Sequence, residues 1–113
     1  MGFHHSTYFA YGIQIPDNGA PWQMAERLEA ELPKLKDQCP DVGFLQAGNY
    51  DDDMTFLTTR CDEVGLGEFK TVTPQTATGE QLASWNGQLV AAAAALGIAD
   101  PAVPGWIVVP DLD

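Results

Sequence analysis

The stretch Ser6–Pro16, STYFAYGIQIP, is the segment around which we expect the rest of the chain to be organised. Its odd positions are large apolar or aromatic residues: Phe9, Tyr11, Ile13 and Ile15. Its even positions are mostly small or polar: Tyr8, Ala10, Gly12 and Gln14. A period of two with one bulky side is typical of a strand that is buried on that side. The small residues on the other side leave room for something to pack closely there.

Two later segments have apolar residues at helical spacing. We predict that the first runs from Pro21 to about Leu32, because Pro33 would remove a hydrogen bond and clash with the preceding turn. The second follows Thr78, a typical capping residue with a glutamine three positions later, and Gly97 is its natural stop.

Three further segments have the composition of strands: Val42–Asn49, Met54–Cys61 and Trp106–Val109. The first two are joined by a short polar connection at residues 48–53, which predicts an antiparallel hairpin. The last is wholly apolar, which is typical of a strand covered on both faces, although four residues are too few to decide it. We interpret Asp62–Thr73, with its glycines and charges, as a long loop with short β character.

The predicted order is therefore β-α-β-β-α-β in a single domain over residues 1–113. This order is typical of the ferredoxin-like α+β fold, an antiparallel sheet with two helices on one face. Right-handed crossovers place the first and third strands in the centre. The bulky side of the first strand should then meet apolar residues of the two helices: Leu28, Leu32, Leu82, Trp85 and Leu89.

Charge is the strongest feature of the composition. The 113 residues include 5 Lys and Arg against 16 Asp and Glu, which gives a formal net charge of −11 and disfavours direct nucleic-acid binding. There is no run of about 18 apolar residues to span a membrane, and residues 1–5 carry no signal-peptide pattern, so we expect a cytoplasmic protein. Catalytic and cofactor motifs are also missing from the sequence, which predicts a non-enzymatic protein without a cofactor.

The two cysteines, Cys39 and Cys61, form a second candidate feature. If the hairpin turns between Tyr50 and Asp51, residues whose numbers add up to about 101 lie opposite each other, and Cys61 falls near Pro40. The two thiols would then lie at the same end of the hairpin, within reach of a disulfide. We expect two adjacent reduced thiols rather than a bridge, because cytosolic thiols are kept reduced.

Three segments resemble small proteins encoded by phages of actinobacteria: Ser6–Gly12, Cys61–Phe69 and Gly105–Asp111. Together they cover 23 of the 113 residues, about a fifth of the chain. The resemblance implies no activity and no functional residues. It implies expression in a bacterial cytoplasm during infection, and it favours a small protein that binds a host or phage protein.

The first hypothesis on function is accordingly an acidic protein that binds a protein partner or a second copy of itself. With both helices on one side, the other sheet face must meet solvent or be covered, either by another molecule or by Asp62–Thr73. The candidate partner-binding residues are the small and polar positions of the first strand: Tyr8, Ala10, Gly12 and Gln14.

Two alternatives belong to other classes. A DNA-mimicking inhibitor of a nucleic-acid-binding protein would need its carboxylates in rows at phosphate-like spacing. A small metal-binding protein or enzyme would use His4, His5, Cys39 or Cys61, although these residues lack the paired short spacings of a zinc site. Asp51–Asp53 does not have the spaced ligands of a calcium loop, and we interpret it as a solvated hairpin tip.

Overall fold

The computed structural model describes residues 5–16, 21–49, 52–73 and 76–112. The elements follow the predicted order: β1 (His5–Ile15), α1 (Pro21–Glu31), β2 (Gly43–Asn49), β3 (Asp52–Gly65), α2 (Gly79–Ala95) and β4 (Gly105–Leu112). The four strands form one antiparallel sheet in the order β2-β3-β1-β4. This architecture is consistent with the ferredoxin-like fold, and β1 and β3 are the central strands, as predicted.

Local chemistry sets the ends of both helices. A short 3-10 helix, Leu32–Leu35, follows α1, because Pro33 cannot continue regular helical hydrogen bonding. At the start of α2, the side chain of Thr78 accepts a hydrogen bond from the Gln81 amide at 3.1 Å. At its end, Gly97 adopts a φ of 76°, a conformation that favours glycine and closes the last turn.

The β2–β3 hairpin has the predicted register. Its pairs run from Gly43 opposite Thr58 to Asn49 opposite Asp52, so the numbers of each pair add up to 101. The predicted turn at Tyr50 and Asp51 lies outside the described residues.

Two strands are longer than their sequences predict. β3 continues past Cys61 to Gly65, because Asp62 and Glu63 pair with Phe9 and Tyr8 of β1. β4 extends to Leu112 through a proline, which an edge strand tolerates because its outer N–H groups need no partner in the sheet. The predicted loop at Asp62–Thr73 therefore begins only after Gly65.

The main core lies between the sheet and the two helices. Tyr11, Ile13 and Ile15 of β1 pack in it, together with residues that the sequence assigned to it: Leu28, Leu32, Trp85 and Leu89, with Leu82 half-buried at its border. Phe9, the fourth bulky residue of β1, is outside this core and half-buried.

A β-bulge bends the sheet at its centre. Tyr11 lies opposite Arg60 but Gly12 lies opposite Thr58, so Thr59 is an extra residue on β3. Gly12 approaches the β3 backbone so closely that a Cβ atom built on it would lie 2.0 Å from the carbonyl oxygen of Leu57. The glycine therefore permits a bend that no other residue could accommodate.

The bent sheet curves around its own face opposite the helices, and we call this shape the rolled sheet. A second apolar cluster fills this face, with members from three strands: Leu45, Ala47, Phe56 and Val109. The edge strands β2 and β4 come together over it, since the amide of Gly48 donates a hydrogen bond to Asp111 Oδ1 at 2.9 Å. The sheet thus covers much of its own face opposite the helices. From the sequence, we expected this face to meet solvent or to be covered by another molecule or by Asp62–Thr73.

Candidate protein-interaction surface

The four predicted partner-binding residues lie along the inside of the rolled sheet. Ala10 has no exposed surface and Gly12 is buried, whereas Tyr8 is half-buried and Gln14 is exposed. Two of the four thus offer side-chain surface to a partner, and their role as a binding face stays a prediction.

The two cysteines are both free thiols. Cys39 is buried in the helix-side core, and its thiol donates a weak hydrogen bond to the carbonyl oxygen of Gln88 at 3.4 Å. Cys61 is exposed on β3, opposite Ala10, whose side chain faces away from the helices. The hairpin pairing begins only at Gly43, so it does not carry Cys39 toward Cys61.

The surroundings of both thiols oppose ionisation. Burial raises the pKa of Cys39. Although Cys61 is exposed to solvent, partial desolvation of its thiol raises its pKa as well, and the neighbouring carboxylates of Asp62 and Glu63 raise it further. Neither thiol has the electropositive surroundings that activate a nucleophilic cysteine.

We predict that the two thiols react with Ellman's reagent in two separate phases at mildly alkaline pH. Cys61 should react at least about tenfold faster than Cys39, because Cys39 becomes accessible only when the core opens. The Cys61→Ser variant provides the control, since it should retain only the slow phase. A single fast phase from both thiols in the wild type would contradict the position of Cys39.

Of the candidate metal ligands, the structure describes His5, Cys39 and Cys61, and it does not bring the two cysteines together. Within the described ranges, no group of three or more His, Cys, Asp or Glu residues is placed to hold a metal ion. Cys39 belongs to the helix-side core and Cys61 to the opposite side of the sheet, while His4 lies outside the described residues.

The most exposed apolar part of the sheet is on its helix side, beside the edge strand. Phe9 of β1 lies opposite Val108 of β4, and its ring stacks on Trp106 with centroids 4.9 Å apart and planes 7° apart. The exposed fraction is 63% for Val108 and 37% for Trp106, because neither residue enters the core beneath the helices. We call these three residues the β4 surface.

The core side of Trp106 is fixed by two other aromatic rings. Tyr11 meets it edge-on at a centroid distance of 5.0 Å, and Trp85 of α2 does so at 6.3 Å. The Tyr11 hydroxyl in turn donates a hydrogen bond to Asn86 Oδ1 at 2.6 Å. The ring of Trp106 therefore packs against Phe9 on the β4 surface and against Tyr11 and Trp85 toward the core.

Charged residues border the β4 surface on the β3 side. Asp62 lies opposite Phe9 and forms ion pairs with Lys70 at 2.9 Å and Arg60 at 3.1 Å. The hydrogen bond from Lys70, followed by that from Arg60, lowers the pKa of Asp62 despite partial burial. The same contact holds Lys70 against β3, and its neighbour Phe69 is 87% exposed.

The sequence did not identify the β4 surface, because an apolar edge strand and an apolar central strand have similar sequences. The wholly apolar run Trp106–Val109 carried a signal for such a surface. Its residues alternate between the two faces of the strand, so some of them are exposed unless both faces are covered. In the folded chain only Val109 of this run is fully buried.

Comparison of the chain with protein-family models, curated proteins and solved structures finds no match. Over the part of the chain that the structure describes, none of the helices combines the length and apolar character needed to cross a membrane.

Proposed function

We propose that this chain is a non-enzymatic acidic protein that binds another protein through the β4 surface. The observation that carries the proposal is the stack of half-buried Phe9 on Trp106 beside the largely exposed Val108 at the edge of the sheet. Contiguous apolar surface of this kind marks protein-binding sites, and aromatic side chains are enriched where binding energy concentrates.

The charge of the chain supports a basic partner rather than a second copy. Each copy carries a formal net charge of −11, so two copies repel each other. A basic protein is instead attracted at separations up to about the Debye length, beyond which salt screens the charges. Added salt should therefore weaken binding to a basic partner and strengthen self-association. We take the partner from the cytoplasm of an actinobacterial host, the source that the sequence resemblance implies.

The test uses Val108→Glu, which places a charge on the β4 surface at a largely exposed position and leaves the core intact. Wild-type and variant chains are used to capture proteins from an actinobacterial lysate, and the affinity of each purified captured protein is then measured by calorimetry. We expect the variant to bind the partner at least about tenfold more weakly, because a charge is desolvated against an apolar surface.

Trp22→Glu is the matched control. Trp22 lies on α1 and is 62% exposed, nearly the same fraction as Val108, and its ring is larger. We expect it to change the affinity by less than about twofold. A partner that responds to both substitutions equally recognises general hydrophobicity, which would overturn the proposed site.

The competing functions give different results in the same experiment. A DNA mimic should bind its target as well or better when Val108→Glu adds a carboxylate. A self-associating protein should increase in scattering mass with concentration, and more so at high salt. Either result would replace the proposal of a different, basic partner bound through the β4 surface.

A further inference from the structure

A cleft of about 590 Å³ lies next to the β4 surface, where β1 begins and β3 and β4 end. Its apolar wall is formed by side chains from three segments: Met54, Val64, Leu66, Pro110 and Leu112. Pro110 follows Val108 by two residues on β4, so their side chains lie on the same face of the strand. The cleft and the β4 surface are therefore close enough for one partner to contact both.

Two carboxylates, Glu68 and Asp111, also line this cleft, and no Lys or Arg of the described chain does. One oxygen of Glu68 accepts a hydrogen bond from the Gly65 amide at 2.8 Å, and one of Asp111 accepts from the Gly48 amide at 2.9 Å. The described ion pairs of the chain involve other acids, Glu31 and Asp62. Among the described residues, the cleft thus combines an apolar wall with two carboxylates that no Lys or Arg faces, and His5 is the one basic side chain in its lining.

This combination fits a long side chain that ends in a cation. A small hydrated cation would gain nothing from the apolar wall, and an apolar side chain would gain nothing from the carboxylates. Lysine and arginine carry an aliphatic stem that packs on apolar surface and a charged end that binds carboxylates. We propose that the cleft receives a lysine or arginine side chain of the protein that docks on the β4 surface. The proposal rests on the proposed function and specifies the chemistry of the partner.

The test probes the cleft directly in the full chain. The probe is the peptide acetyl-Ala-Leu-Arg-Leu-Ala-amide, and its matched control carries neutral citrulline in place of arginine. Binding is followed through the methyl NMR signals of Met54, Leu66 and Leu112. We expect saturable shifts of these signals and an affinity for the arginine peptide at least about fivefold higher than for the citrulline peptide.

A double variant, Glu68→Gln with Asp111→Asn, removes both charges but keeps oxygens that can accept the two amide hydrogen bonds. It should lower the affinity for the arginine peptide at least about fivefold. Glu26→Gln with Glu29→Gln, two exposed acids on α1, changes the net charge equally and should leave that affinity unchanged. Equal losses in both double variants would show an effect of overall charge and overturn the proposal.

Two further outcomes would also overturn the proposal. If n-butylammonium binds as tightly as the peptide, the cleft is a site for small amines rather than for a partner's side chain. If the captured partner binds the Glu68→Gln, Asp111→Asn variant normally but loses affinity for Val108→Glu, the proposed function stands and the cleft has no part in it.

Discussion

Replacing Gly12 with alanine is expected to destabilise the protein by about 3 kcal/mol or more. The new Cβ atom would lie 2.0 Å from the carbonyl oxygen of Leu57 and 3.0 Å from two further backbone atoms of β3. Backbone atoms in the middle of a sheet cannot move aside as the end of a flexible side chain can. Urea denaturation of the variant and the wild type, followed by circular dichroism, measures the change.

Gly105→Ala is the matched control for this prediction. Gly105 lies directly opposite Gly12 on β4, and a Cβ atom built there would have no neighbouring atom within 4 Å. Because alanine loses less conformational entropy than glycine on folding, we expect a change between zero and about 1 kcal/mol of stabilisation. Equal effects at the two glycines would contradict the close approach of β1 and β3 at the bulge.

Replacing Phe56 with alanine is expected to destabilise the protein by about 3–5 kcal/mol. Phe56 lies on the sheet face away from the helices, where a flat sheet without a covering layer would leave it exposed to solvent. In the rolled sheet it is only 5% exposed and packs with Leu45, Ala47 and Val109. Its truncation therefore leaves a cavity in a second core.

Phe69→Ala makes the same chemical change at a residue that is 87% exposed. We expect it to alter the free energy of unfolding by less than about 0.5 kcal/mol. A loss at Phe56 as small as that at Phe69 would mean that the second cluster is open to water.

The order of the elements could be predicted because it depends on local patterns. Three of these patterns act within a few residues: the period-two spacing of β1, the cap at Thr78 and the helix end at Pro33. The short connection between β2 and β3 likewise sets the register of that hairpin. The extension of β3 through Asp62 and Glu63 could not be predicted in this way. Those charged residues become a strand only because β1 provides a partner for each of them.

The curvature of the rolled sheet could not be predicted from local sequence patterns either. The sequence indicated only that the side with Ala10 and Gly12 has room for a close approach, and at Gly12 the backbone of β3 makes that approach. A bulge at Thr59 depends on the pairing of two strands that are distant in sequence, so neither strand carries its signal alone. The alternation that placed Tyr8, Ala10, Gly12 and Gln14 on one face is correct, but the bend decides how much of that face is exposed.

The same bend determines which apolar surface the sheet leaves open to the proposed partner. By covering Phe56 and its neighbours, the rolled sheet occupies the face opposite the helices. On the helix side, α2 covers Tyr11 but leaves Phe9, Trp106 and Val108 outside the core. On the helix side of the sheet, the exposed apolar surface therefore lies beside β4, and this is the physical basis of the proposed function.

The contact between Gly48 and Asp111 tests the roll of the sheet most directly. In a flat sheet β2 and β4 would be three strand spacings apart, about 14 Å. In the rolled sheet the Gly48 amide donates a hydrogen bond to Asp111. An NMR spectrum should show an NOE between the Gly48 amide proton and the β protons of Asp111. Its absence, with contacts of Gly48 confined to β3, would contradict the rolled sheet and remove the basis for placing the partner on the β4 surface.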